Sequence, residues 1–248
     1  MALSTQQKIT KIALGLYWPT LFVAAHIPIP QSVQRAGVSD KSLHFLAYLT
    51  LVFLLWFAVS GIQRIDWRRS GPWLVLLTLI AYGIIDEILQ SLVPGRSPDV
   101  MDFVADLTGV LTGLILFTIL AFWPAGLLVA ATVIFSVANI ARINLAVLLP
   151  VTYAVFHLFA YAVFTVLWIQ CTHLYTSVSA KTTKIKWLIL ALAVPAGLLL
   201  MVKLFAIIFG KGFTLADTIV SGGAIVTVIA VFYLNAPLCR TQDRDSGR

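Results

Sequence analysis

The sequence predicts an all-α, polytopic membrane bundle. It is expected to hold about eight transmembrane helices, arranged as two four-helix repeats of the same orientation. Three observations lead there. Hydrophobic residues fill 60% of the 248 positions and charged residues only 11%, with a mean hydropathy of +0.97. The apolar residues fall in runs near the ~18–20 residues that cross a bilayer. Short signatures also recur at a nearly constant offset. A β-barrel would need alternating polarity in strands of about ten residues, and the sequence has none.

The runs can be placed in order along the chain. The first covers 11–28 and stops at "IPIP". The second, 41–59, is followed by "SGIQRIDWRRSGP". The third and fourth, 72–93 and 101–122, are joined by "VPGRSP". "WPAG" opens the fifth, 125–141, and "ARIN" separates it from the sixth, 146–171. "SVSAKTTKIK" leads to the seventh, 187–209, and "GKG" to the eighth, 213–234. Proline and glycine punctuate most of these breaks, where a helix loses a donor or gains backbone freedom. The expected domains are a four-helix unit at 1–122, a degenerate second unit at 125–234 and a polar cytoplasmic tail at 235–248.

Charge sets the expected orientation. An even number of spans puts both termini on one side. Placing them inside gives the cytoplasm eleven of the 17 lysines and arginines, including Arg64, Arg68, Arg69, Lys181, Lys184 and Lys186. This is the positive-inside bias, N-in and C-in. The net charge of +7 follows that distribution and does not point to nucleic acid. Most acids go the other way: Asp40, Asp86, Glu87, Asp99, Asp102, Asp106 and Asp217 gather toward the outer side. Cys171 and Cys239 show no metal-ligand spacing and no disulfide framework. "MALSTQQKITK" has no cleavable leader pattern.

The halves resemble each other. "HFLAY" at 44–48 recurs as "HLFAY" at 157–161, and "GRSPDVMD" at 95–102 as "GKGFTLAD" at 210–217. The offsets are 113 and 115 residues. Equal orientation of the halves makes this a parallel repeat. The second half lacks the first half's acids: Asp86, Glu87 and Asp106 become Met201, Val202 and Ser221. His157, Tyr161, Lys211 and Asp217 are read as relics or structural pairs.

The first half carries the chemistry. Lys41, His44 and Tyr48 are spaced by three and four and share one helix face. Asp86 and Gln90 are four apart, with Glu87 beside Asp86. Asp102 and Asp106 are four apart, and Gly109 and Gly113 continue their stripe as a small-xxx-small surface that admits another helix closely. Arg96 falls in the turn between these helices. Ionisable groups in a bilayer face the bundle interior and find partners, and clustered acids need a cation to compensate them. Lys41, His44 and Arg96 are the cations at hand. Taken singly, each residue reads as a structural hydrogen-bonding group; taken as one set on one face, they point to function. Asp99 is read as a solvated turn residue, Asp40 as a helix cap, and His26 and His173 as interfacial.

These residues resemble the VanZ-like family of bacterial membrane proteins. The family's opening "DK-x-x-H-x-x-x-Y" reads here as Asp40, Lys41, His44 and Tyr48. Its acidic segment reads as Asp86, Glu87 and Gln90, its turn arginine as Arg96, and its closing helix as Asp102, Asp106, Gly109 and Gly113. Asp106 departs from the pattern, where Asn is usual. The match covers roughly 12–122; 125–234 follows the pattern only weakly. The resemblance implies a four-helix membrane unit of the cell envelope, in the bacterial cytoplasmic (inner) membrane. The family takes its name from a protein associated with low-level teicoplanin resistance.

Three functions remain open from the sequence. One is a non-catalytic envelope protein that binds a lipid precursor, a glycopeptide or a partner protein at the outer face. Another is a membrane enzyme acting on lipid-linked phosphate or pyrophosphate, with His44, Asp86, Glu87 and Asp102 as catalytic candidates and a divalent cation held by oxygen ligands. The third is a small-solute transporter. The candidate ligand-binding set is Lys41, His44, Tyr48, Asp86, Glu87, Gln90, Arg96, Asp102 and Asp106. No organic cofactor is evident.

Overall fold

The computed structural model describes residues 5–27, 39–93, 98–139, 150–175, 184–210 and 215–235. These hold eight α-helices: α1 (Thr5–Ala25), α2 (Asp40–Ser60), α3 (Ser70–Gln90), α4 (Val100–Ile119), α5 (Phe122–Asn139), α6 (Pro150–Tyr175), α7 (Lys184–Ile208) and α8 (Leu215–Asn235). Among the described residues there is no strand. Each expected run has become a helix, with ends moved by a few residues. The protein is a polytopic helical bundle.

Seven of the eight helices, α2 to α8, are long and apolar enough to cross a membrane. The first is not among them, because its N-terminal turns carry Gln7, Lys8 and Lys11. It still docks on the bundle. Leu14, Tyr17, Trp18 and Leu21 pack against the core, and the Tyr17 hydroxyl donates to the Ala47 carbonyl at 3.0 Å.

The chain divides into two compact units, Met1–Val129 and Ala130–Arg248. In the first, α2 packs most extensively against α4. The reason lies in α4's apolar stripe: Gly109, Val110, Gly113, Leu114 and Phe117 are buried at helical spacing. Leu51, Val52 and Trp56 of α2, with Val75 and Leu79 of α3, complete this core. An aromatic stack closes its far end, with Phe57 and Phe122 ring centroids 4.4 Å apart and Phe53 and Phe117 at 5.9 Å. The α2 helix ends at Gly61, whose φ of 66° suits glycine, and its N–H donates back to the Phe57 carbonyl. Large apolar side chains on the outer faces, such as Ile84, Ile85, Ile88, Ile115 and Ile119, are exposed from the protein. That surface suits lipid rather than water.

The second unit repeats the pairing scheme with α6 against α8, and α7 against both. Its buried set includes Tyr161, Phe164, Ile169, Trp187, Val202 and Ile225.

Candidate functional site

Close packing of α2 on α4 builds the site. Gly109 leaves room for the α2 backbone at Phe45 and Leu49, and Gly113 for the Val52 side chain. One turn and two turns before Gly109, Asp106 and Asp102 thus face α2. His44 Nδ1 donates to Asp106 Oδ1 at 2.9 Å, both groups buried. Lys41, one turn earlier on α2, donates to Asp102 Oδ1 at 3.1 Å and also to Asp99. The spacing of three between Lys41 and His44 is therefore matched by the four between Asp102 and Asp106.

The end of α3 adds the remaining acids. Gln90 Nε2 donates to Asp86 Oδ2 at 2.6 Å, the i,i+4 pair visible in the sequence. Glu87 Oε2 accepts the Asp99 backbone N–H at 3.1 Å, tying the α3 end to the α4 start. Asp86, Glu87, Gln90, Asp102 and Asp106 are all buried. Gly83 lets α4 approach here, since a Cβ at this position would meet the Phe103 ring at 3.2 Å. Tyr48 is only 2% exposed, and its ring stacks on Tyr82 with centroids 5.7 Å apart.

Of the nine candidate ligand-binding residues, eight therefore come together; Arg96 lies outside the described residues. Three expectations change. Asp99 is not a purely solvated turn residue: it caps α4, accepting from Met101 N at 2.8 Å, and pairs with Lys41. Asp40 is not the N-cap of α2; that position is Ser39, and Asp40 opens the helix itself. His26 is not without a partner. Its Nδ1 sits 2.7 Å from the Phe22 carbonyl and 3.8 Å from Asp86 Oδ1. No periodic signal links the end of α1 to the end of α3, so this pairing is not legible in the sequence.

The ion pair with Lys41 holds the Asp99 carboxyl below the usual carboxylate range, helped by the Met101 N–H. A depressed carboxyl contributes stability above its unfolded pKa and loses it as pH falls through the folded one. The Lys41–Asp99 link is thus expected to survive mild acid and to fail only below the ordinary carboxylate range. Asp99→Ser, which keeps a cap but removes the charge, should abolish that acid-side step in a melting series. Asp99→Ala should lower the melting temperature further through loss of the cap.

A slot of about 140 Å³ opens onto these groups. Its walls are apolar: Leu21, Ala24 and Ala25 of α1 with Leu43 and Ala47 of α2. Its polar side presents Asp40, His44, Tyr48 and Asp86. Two groups of side chains bring ligand atoms within 4.8 Å of one another: Asp40, His44 and Asp102, and His44, Glu87 and Asp106.

The second unit keeps the skeleton and one acid, Asp217, without counterparts of Asp86, Glu87 and Asp106. His157 Nδ1 lies 3.0 Å from Ser221 Oγ, the counterpart of His44 on Asp106. Lys203 approaches Asp217 at 3.7 Å, where the first unit pairs Lys41 with Asp102. The cation now comes from α7 rather than from the start of the histidine's own helix. Lys211 lies outside the described residues.

Among protein-family models, VanZ/LLP1 matches residues 5–122. No curated protein and no solved structure matches the chain. The matched span contains Asp86, Glu87, Asp102 and Asp106, their partners His44 and Lys41, and the close-packing Gly83, Gly109 and Gly113. Residues 5–122 are thus a VanZ-like unit, carried in a multi-pass helical membrane protein.

Proposed function

We propose that the first unit binds the head group of an envelope lipid precursor, seated in the slot between α1, α2 and α3. The slot carries this reading: apolar walls lead to a polar end made by Asp40, His44, Tyr48 and Asp86. An amphiphile matches that division, with its chain along the α1 side and its donors on the acids. The protein acts in the bacterial cytoplasmic membrane, and occupation of the site alters teicoplanin susceptibility. Placement of the site on the outer face rests on the basic residues between the opposite ends of α2 and α3, Arg64, Arg68 and Arg69. It does not depend on whether α1 crosses the membrane.

The test uses full-length protein in nanodiscs and a short-chain polyprenyl pyrophosphate as probe. Ala47→Leu, which fills the slot, should weaken binding about tenfold or more, on the scale of a lost buried apolar contact of 1–3 kcal/mol. Asp86→Asn should weaken it less. Unchanged binding in a folded Ala47→Leu variant would refute the lipid reading. Teicoplanin as probe, bound in place of the lipid, would assign the site to the glycopeptide.

One observation favours a membrane enzyme as the second reading. His44 lines the slot while Asp106 holds its Nδ1, and a carboxylate that orients an imidazole is the arrangement of a general base. Release of inorganic phosphate from the same probe, lost in His44→Gln with binding retained, would establish it.

A further inference from the structure

Three carboxylates, Asp86, Glu87 and Asp106, are buried within electrostatic reach of Tyr48, and the last two share a cluster with the His44 imidazole. Lys41, the cation at the edge of the cluster, is already committed to Asp99 and Asp102. Carboxylates this close in a low-dielectric interior repel each other unless a positive charge sits among them. A cluster of acids alone says little, since protonation also removes the repulsion. Separate observations show where a ligand belongs. Asp106 Oδ2 and Glu87 Oε1 are buried with no hydrogen-bond partner among the described residues. The Tyr48 hydroxyl shares this condition: it is buried, within electrostatic reach of Asp106, Asp86 and Glu87, and makes no hydrogen bond among the described residues. Buried polar atoms without a partner are rare, and each such atom costs about 1–3 kcal/mol. Three such atoms, on three different helices and within electrostatic reach of one another, point to a shared ligand.

We propose that His44, Glu87 and Asp106 hold a divalent transition-metal ion. Their ligand atoms lie within 4.8 Å of one another. Two ligands on one ion at about 2.1 Å are separated by at most about 4.2 Å, and His44 Nδ1 and Asp106 Oδ1, 2.9 Å apart, already stand within that span. One nitrogen and two carboxylates suit Mn²⁺ or Zn²⁺ better than Mg²⁺, which prefers oxygen and keeps its water. Three protein ligands leave positions open for water or for a ligand oxygen. The alternative group, Asp40, His44 and Asp102, is less suited because Asp102 is engaged by Lys41. Tyr48, beside the ion, would donate to an ion-bound oxygen. The inference deepens the lipid reading and rests on it for the ligand that fills those open positions: a phosphate oxygen meets the ion beneath the slot.

The test is Mn²⁺ binding to full-length, chelator-stripped protein in detergent, followed by electron paramagnetic resonance. The wild type should bind Mn²⁺ with a nitrogen modulation in the pulsed spectrum, and Zn²⁺ should displace it. His44→Gln should remove the modulation. Glu87→Gln and Asp106→Ala should each weaken binding about 100-fold, at the top of the range for losing even an outer partner of a ligand. Glu87→Asp, a milder change, should fall between, and Asp99→Asn should bind as the wild type does. Melting curves without metal show which variants are folded. The proposal is overturned if the folded wild type binds no Mn²⁺, or if folded Glu87→Gln binds it unchanged. It is also overturned if Mn²⁺ binds only after Arg96→Gln, which would make Arg96 the compensating charge. Ala47→Leu leaves the three ligands in place. Lipid binding unchanged in that variant, with Mn²⁺ retained, therefore removes the lipid reading alone, and a wild type that binds lipid but no Mn²⁺ removes the ion alone.

Discussion

Gly109→Ala is expected to destabilise the first unit more than any other single-methyl change in the chain. A Cβ at Gly109 would stand 2.5 Å from the Phe45 carbonyl oxygen and 3.1 Å from the Leu49 nitrogen. Both are backbone atoms of α2, which cannot rotate aside as a side chain would. Two effects compete. Alanine gains about 1 kcal/mol of helix propensity over glycine, while overpacking a tight contact costs about 1–3 kcal/mol and more where the neighbour cannot move. The backbone contact decides the sign, and the net loss should approach 2 kcal/mol. Gly113→Ala meets instead the Val52 side chain, so the double variant Gly113→Ala with Val52→Ala should recover most of its loss. Gly222 and Gly223 of α8 have nothing within 4 Å, and alanine there should leave the melting temperature unchanged or raised. Thermal melts of detergent-solubilised protein by tryptophan fluorescence check all four. A Gly109→Ala variant as stable as the parent would show that α2 and α4 do not approach as described.

His44→Leu should strand the Asp106 carboxylate. Asp106 is 1% exposed and His44 Nδ1 is its hydrogen-bond donor. A buried carboxylate without its donor costs about 3 kcal/mol, between the values for a lost charge-assisted bond and for a broken buried pair. Removing both partners is milder, because nothing charged is left behind. The double variant His44→Leu with Asp106→Leu should therefore melt above His44→Leu alone, giving a coupling energy of about 1–3 kcal/mol. The second unit supplies the comparison. His157→Leu leaves only the neutral Ser221 hydroxyl unsatisfied, and should cost about 1 kcal/mol for the bond. Equal losses in the two units would mean that Asp106 carries no charge in the folded protein.

The helices and the glycine stripe were legible because both depend on periodicity along one segment. Gly109 and Gly113 announced a close neighbour, and Asp102 and Asp106 shared their face. Which helix that neighbour was, and which of its side chains met which acid, depended on helix rotation about its own axis, which periodicity does not fix. Hence Asp99 was read as solvated, while Lys41 in fact reaches it. His26 was missed for a related reason: its approach to Asp86 joins the end of one helix to the end of another 60 positions away. The first helix fell short of a full apolar span because its early turns are polar, although its later turns pack on the core like those of its neighbours.

The acids also have a consequence for how the protein is made. Asp86 and Glu87 lie in the last turn or so of α3, and Asp102 and Asp106 in the first two turns of α4. The whole polar load thus travels at the tip of one hairpin, while both arms offer unbroken apolar stretches to the insertion machinery. A carboxylate near a helix end is far cheaper to insert than one at mid-span. The hairpin can therefore enter the bilayer before its counter-charges are in place, and His44 and Lys41 are recruited afterwards, when α2 settles against α4 in the bilayer plane. With the acids placed this way, a variant could complete insertion and still fail to assemble the site.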